Sequence, residues 1–258
     1  IMNIKKKLTE IANKYSKELI NEQLLDIDRI SYHINLCIKS SNKILPSDLE
    51  ICDLGGGIGM FSVGCASSEF KRSVLIDDFN DSINHKIGDQ ILELHKNYGV
   101  EIYSRDVVNK GIQDIEGTFD IITSFHSMEH WHNSPKKLFH EVMAKLKKGG
   151  IFILSSPNCH NLRKRISVPL GYGKWSSMEG WYEEEKFRGH VREPDVDDLI
   201  YIAKDMGLTD LKIIGRNWQG HRGGNNNSTV IKSLTKIIDP FLKYFPSLCS
   251  DIYMIGSK

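Results

Sequence analysis

Apolar and charged positions alternate at helical spacing over residues 1–45, with Leu8, Ile11, Tyr15 and Leu19 on one stripe and Leu24, Ile27, Ile30, Ile34 and Ile38 on the next. Such spacing predicts amphipathic helices, here a pair of N-terminal cap helices that either pack against a sheet or help enclose substrate. Beyond them the pattern changes to short apolar runs at Glu50–Leu54, Ser73–Asp77, Val100–Ser104, Phe119–Ser124 and Gly150–Ser155, separated by helical stretches. Strands alternating with helices predict a parallel sheet with crossover helices. Asp195–Leu199 opens a further helix that ends near Gly207, and two more strands are expected at Asp210–Gly215 and Asp251–Ile255. The predicted fold is α/β and doubly wound, a Rossmann-like, seven-stranded, mostly parallel sheet. Residues 1–45 form the cap helices, residues 46–258 the main domain, and about 159–193 an insertion within it. Gly223–Asn227 reads as a turn.

Composition narrows this picture without redirecting it. The 258 residues carry 34 Lys and Arg against 33 Asp and Glu, so the chain lacks the basic excess that nucleic-acid binding would favour. Five cysteines, Cys37, Cys52, Cys65, Cys159 and Cys249, show neither paired nor zinc-like spacing and read as reduced residues of a cytoplasmic protein. No apolar run reaches the roughly 20 residues of a membrane span, and the N-terminus is too polar for a signal peptide.

The most informative stretch is Ile51–Gly59, an apolar strand end carrying Asp53 and running into Gly55-Gly56-Gly57-Ile58-Gly59. Glycines permit positive φ and let a ligand approach the main chain, as a turn beneath a nucleotide-like cofactor requires. A second strand ends in Asp77, at the distance of about twenty residues where an acid accepts hydrogen bonds from a ribose diol. The third glycine of the dinucleotide fingerprint is absent, since Met60 and Ser62 occupy the positions where it would fall. A pyrophosphate would also be repelled by Asp53, whereas an ammonium or sulfonium would be favoured.

Ile51–Gly59, Asp77, Asp106 within Tyr103–Val107, and the segment Phe119–Asn158 together resemble the successive motifs of class I S-adenosylmethionine-dependent methyltransferases. The resemblance covers about the first two thirds of the chain. It implies S-adenosylmethionine as cofactor, with Asp53, Gly55 and Gly57 at its methionine part, Asp77 at the ribose, Asp106 by the adenine amino group, and Ser124 completing the set at the fourth strand end. It also implies that Lys147-Lys148-Gly149-Gly150 closes a helix and that the fifth strand then runs to Pro157-Asn158.

Ligands of open α/β sheets bind beyond the carboxyl ends of the strands, and the fourth strand end is rich in chemistry: Phe125-His126-Ser127-Met128-Glu129-His130-Trp131-His132. An acid–His pair like Glu129-His130 recurs in quinone-type O-methyltransferases and is assigned to the framework, with His130 shaping the site. The position of His126 is often Glu there. A hydroxyl acceptor must lose a proton as the methyl moves, and histidine titrates nearest the working pH. His126 is the first base to consider and His190 the second. A metal on His126 and His130 has no third ligand set by spacing, and none is assigned.

The insertion carries Arg163, Lys164, Arg165, Leu170–Trp175, Trp181-Tyr182 and Gly189–Glu193, the ingredients of a substrate lid or of a solvated connector. Arg192, Trp131, Tyr172 and Arg163 are the expected substrate contacts, with arginines suited to phosphate or carboxylate. Asn161–Arg163, Gly189–Arg192 and Asp251–Ile255 are similar to methyltransferases found with bacterial capsule and O-antigen genes. That similarity implies O-methylation of a small molecule, a sugar or sugar-linked precursor of a surface polysaccharide, anionic or nucleotide-linked. A phosphoryl oxygen of a capsule modification, a quinone or phenol, a nicotinamide oxidoreductase and a non-catalytic cofactor-binding partner protein are the alternatives. Residues 231–250 would form a homodimer surface or cover the sheet.

Overall fold

A computed structural model describes residues 3–43, 45–79, 88–172, 178–183, 185, 187–223 and 228–258. The Gly173–Trp175 part of the insertion and Gly224–Asn227 of the expected turn lie outside the described residues. Seven strands, β1 (Glu50–Leu54), β2 (Arg72–Asp77), β3 (Val100–Ser104), β4 (Phe119–Phe125), β5 (Leu146–Pro157), β6 (Thr209–Arg216) and β7 (Asp251–Ser257), form one sheet in the order β3-β2-β1-β4-β5-β7-β6. β1 runs parallel to both β2 and β4, and β2 parallel to β3. The order reverses between β2 and β4, so the switch point lies at the carboxyl end of β1, where doubly wound sheets hold their ligands. β1, β2 and β4 are buried along most of their length, as interior strands of a helix-covered parallel sheet are, whereas the edge strand β3 is buried only at Val100.

The helices are α1 (Ile4–Ala12), α2 (Lys17–Ser40), α3 (Met60–Ser67), α4 (Gly88–Asn97), α5 (Val107–Lys110), α6 (Lys136–Lys145), α7 (Leu162–Ser167), α8 (Met178–Glu183), α9 (Val196–Met206), α10 (Trp218–Arg222) and α11 (Thr229–Leu242). α1 and α2 realise the N-terminal periodicity: Leu8, Ile11, Leu19, Ile27, Ile30 and Ile34 are buried. Tyr15 falls in the turn between them, and Leu24 is exposed while Gln23 takes the inward position. α9 carries the clearest sequence signals: Asp195 caps it with a capping box to Asp198, and Gly207 closes it in the left-handed conformation.

One expectation needs correction. Lys147-Lys148-Gly149-Gly150 does not end a helix: α6 stops at Lys145 and the chain is already in β5 from Leu146. Gly149 N–H donates to Lys258 O at 3.3 Å and Lys258 N–H to Gly150 O at 2.9 Å, so a strand partner from the far end of the chain outcompetes another helical turn. Within the insertion, Asn161 caps α7 by accepting from Lys164 N–H, and α8 follows.

Contacts divide the chain into two compact units. The first comprises Ile1–Phe125, Pro135–Ile153 and Ser257–Lys258, and the second His126–Ser134 and Leu154–Gly256. Among the described residues, no helix is long and apolar enough to cross a membrane.

Candidate functional site

Asp53, Gly55, Gly57, Asp77, Asp106 and Ser124 all belong to the first unit. Gly55, Gly57 and Gly59 take φ of 67°, 55° and 79°, the left-handed region that favours glycine. A Cβ on Gly57 would meet nothing within 4 Å, so the loop has an open side at its tip. At Gly56 it would strike Asp53 Oδ2 at 2.3 Å, which places that carboxylate directly beneath the loop. Asp53 is 2% exposed and accepts from Thr123 Oγ1 at 2.8 Å and Ser62 Oγ at 3.4 Å. Burial pushes its carboxyl up to about 7 despite those bonds. A carboxylate so buried sits ready to gain from a cation placed near it.

Asp77 accepts the Gly57 N–H at 2.8 Å on one oxygen and the Phe79 N–H at 2.8 Å on the other. The acid therefore clamps the glycine turn to the end of β2, and its rotamer is set before any ligand arrives. Asp106 is the N-cap of α5, accepting from the backbone of Val108 and Asn109 at 3.0 Å. Ser124 is fully buried, and its Oγ has no hydrogen-bond partner among the described residues. The open face at Gly57, the acid at the second strand end and the orphaned hydroxyl fit an adenosyl cofactor bound over the loop.

The second unit gathers the histidines. His126 adopts φ of 51°, a left-handed conformation uncommon outside glycine. Its Nδ1 lies 3.6 Å from Glu129 Oε1 and its Nε2 3.6 Å from Asp251 Oδ1, so the ring sits between two carboxylates. Strain of this kind concentrates at functional sites. Glu129 is 1% exposed and accepts from Ser156 Oγ at 3.1 Å. Burial would raise its carboxyl, but the neighbouring His126 and His130 outweigh that and hold it below the usual carboxylate range.

His130 places Nδ1 2.8 Å from Arg188 O, and its ring stands edge-on to His190 with centroids 4.9 Å apart. His190 Nδ1 lies 2.7 Å from Glu193 Oε1, and that hydrogen bond raises the imidazole above its ordinary range. Glu193 is in turn ion-paired with the buried Lys164. His126 and His130, neighbours in one turn, and His190, distant in sequence, thus share one neighbourhood around Glu129. The structure adds Glu129, Glu193 and Asp251 to the expected site. The first was legible as half of an acid–His pair; the other two arrive through tertiary contacts.

The expected substrate contacts are less unified. Arg192 is exposed and 3.2 Å from the Asp198 carboxylate. Arg163 lines a cavity of about 690 Å³ bounded by α7, α10 and α11, with apolar walls such as Ile166, Ile231, Leu234 and Ile238. Tyr172 is exposed, and Trp131 is half-buried directly after the Met128–His130 turn. None of the three histidines lines that cavity.

Comparison with known proteins agrees with this geometry. A family model described as a methyltransferase domain matches residues 29–213. No curated protein matches the sequence. Among solved structures, the chain is similar to a methyltransferase of Thermotoga maritima described as a possible histamine N-methyltransferase, at 13% identity and TM-score 0.53, over 97% of this chain and 99% of that one. It is similar to the magnesium protoporphyrin IX methyltransferase of Synechocystis, solved with bound S-adenosylhomocysteine, at 12% identity and TM-score 0.56, over 95% and 89%. A third, an S-adenosylmethionine-dependent methyltransferase of Clostridium acetobutylicum, shares 15% identity at TM-score 0.56, over 88% and 89%. With the glycine turn, the strand-end acids and the seven-strand order in place, the chain belongs to the methyltransferase-domain family and is a class I S-adenosylmethionine-dependent methyltransferase.

Proposed function

We propose that this enzyme methylates a hydroxyl oxygen of a small-molecule acceptor, a sugar or sugar-linked precursor of a bacterial surface polysaccharide. The observation that carries the hydroxyl reading is His126, held at φ of 51° with carboxylates 3.6 Å from each ring nitrogen. An amine needs less help of this kind, and a phosphoryl oxygen needs no strong base. The sugar class rests on the resemblance of Asn161–Arg163, Gly189–Arg192 and Asp251–Ile255 to capsule and O-antigen methyltransferases.

When bound, S-adenosylmethionine supplies an electrophilic methyl group on a sulfonium. Gly55 and Gly57 give it close access to the main chain, Asp77 and Asp106 orient the nucleoside, and Asp53 contributes negative charge beneath the loop. His126 takes the acceptor proton as the oxygen attacks. Glu129 and Asp251 then stabilise the imidazolium, since charge is strengthened by opposite charge nearby. His130 and His190 shape the acceptor site. Positioning and water exclusion supply the remainder.

The test is transfer of a methyl group from S-adenosylmethionine to a panel of nucleotide-linked sugars, amines and phenols, read by mass spectrometry. Hydroxyl products are expected, and His126→Asn, which tolerates the same backbone conformation, should cut kcat by about 10²- to 10⁴-fold without changing cofactor affinity. Exclusive transfer to amines, or full activity in His126→Asn, would refute the proposal.

A further inference from the structure

Glu129, His130 and His190 each offer a ligand atom, and these atoms lie within 4.8 Å of one another. We propose that they form a binding site for a divalent transition-metal ion of the Zn²⁺ class. The argument rests on how the ligands are braced. A metal-binding histidine characteristically donates its other ring N–H to a carbonyl or carboxylate, which sets the tautomer and turns the free lone pair toward the ion. His130 Nδ1 faces the Arg188 carbonyl at 2.8 Å, and His190 Nδ1 faces the Glu193 carboxylate at 2.7 Å. In both rings a proton on Nδ1 leaves Nε2 as the electron-pair donor.

Glu129 is braced as well, by Ser156 Oγ at 3.1 Å, and Glu193 is fixed by Lys164. All of these residues belong to the second unit. The Glu129 backbone carbonyl accepts from Val191 N–H at 2.7 Å, which ties the turn carrying two ligands to the segment carrying the third. Neighbouring ligands of a tetrahedral or octahedral ion bonded at about 2.1 Å stand roughly 3–3.5 Å apart. Binding would therefore draw the three groups inward by about an ångström. Two imidazoles and one carboxylate suit a transition ion better than Mg²⁺ or Ca²⁺, which prefer all-oxygen shells.

Three protein ligands leave coordination positions for a substrate oxygen. In its role, which rests on the hydroxyl-acceptor reading above, the ion binds the acceptor oxygen as a Lewis acid and lowers its pKa, and the proton passes to His126. The second group of possible ligands, Cys159, His160 and Asp195, lacks this bracing. Its His160 side chain is 63% exposed, and Asp195 is engaged in capping α9.

The test uses Co²⁺ alone as the probe on the full chain, read by visible absorption and by metal content per chain after desalting. One Co²⁺ per chain is expected, with d–d bands and no thiolate charge-transfer band. It should be lost in His190→Ala and Glu129→Gln, retained in Cys159→Ser, and weakened 10- to 100-fold in Glu193→Gln, which removes the bracing charge and also the partner of the buried Lys164. Retention of S-adenosylhomocysteine binding and of the thermal melt identifies variants that fold. No stoichiometric uptake by wild type would overturn the proposal, as would uptake that survives His190→Ala and disappears in Cys159→Ser. The spectrum is read without turnover, so the metal site stands or falls separately from the hydroxyl-acceptor reading.

Discussion

Replacing Asp53 by Asn should stabilise the ligand-free protein at alkaline pH while weakening its hold on the cofactor. Asp53 is 2% exposed and its carboxyl is raised from 3.8 to about 7, chiefly by burial. Between those values the native state keeps a proton that the unfolded state has lost. The native state is thus favoured at low pH, and this contribution is lost as pH rises through about 7. A displacement of about 3 pH units at 1.36 kcal/mol each puts the full loss on the order of 4 kcal/mol. Asn keeps the shape and can still accept from Thr123 Oγ1, now 2.8 Å from the carboxylate. In a chain of this size that corresponds to a gain in Tm on the order of 10 °C at about pH 8, shrinking toward zero at about pH 4. Thermal melts of both proteins across that range provide the assay. Titrations with S-adenosylmethionine and S-adenosylhomocysteine should show the larger loss for the sulfonium ligand. A wild-type stability that stays flat through pH 7, or a mutant less stable at every pH, would refute the reasoning.

Other expectations follow from single contacts. Asp77→Ala removes the acceptor for the Gly57 and Phe79 N–H groups and should abolish micromolar cofactor binding in calorimetry while leaving a cooperative melt. Gly56→Ala drives a Cβ to 2.3 Å from Asp53 Oδ2 and should cost about 1–3 kcal/mol in denaturant titration, whereas Gly57→Ala meets open space but puts a Cβ on a residue at φ of 55° and should cost about 1–2 kcal/mol as well as cofactor affinity. His95, fully buried and 2.7 Å from the Tyr15 hydroxyl, is lowered to about 4 by burial. Its contribution is present above about 6.5 and lost as pH falls through about 4, a difference of roughly 3 kcal/mol that His95→Gln should remove from the acid limb of the stability profile. Lys164→Ala leaves the buried Glu193 held by His190 but no longer by Lys164, and a loss of about 1–3 kcal/mol should appear as a lower Tm.

The local sequence was enough to determine elements whose signals are themselves local. The period of α2, the capping box and terminal glycine of α9, and the apolar runs of β1 to β4 are each written within about a dozen neighbouring residues, because capping, φ preference and amphipathicity act over one or two turns. The cofactor loop was legible for the same reason: Asp53, the glycines and Asp77 lie on two successive strand ends of one βαβ unit. Tertiary structure decided what depends on partners far away in the chain. Leu146–Gly150 is strand because the C-terminal Lys258 supplies its hydrogen bonds. His126 stands between carboxylates because β7 brings Asp251 to it, and His190 meets Glu129 and His130 because the Glu129 carbonyl captures Val191 and Arg192. Such contacts are selected by burial and by the need to pair every buried polar group, conditions that exist only once the chain has closed on itself.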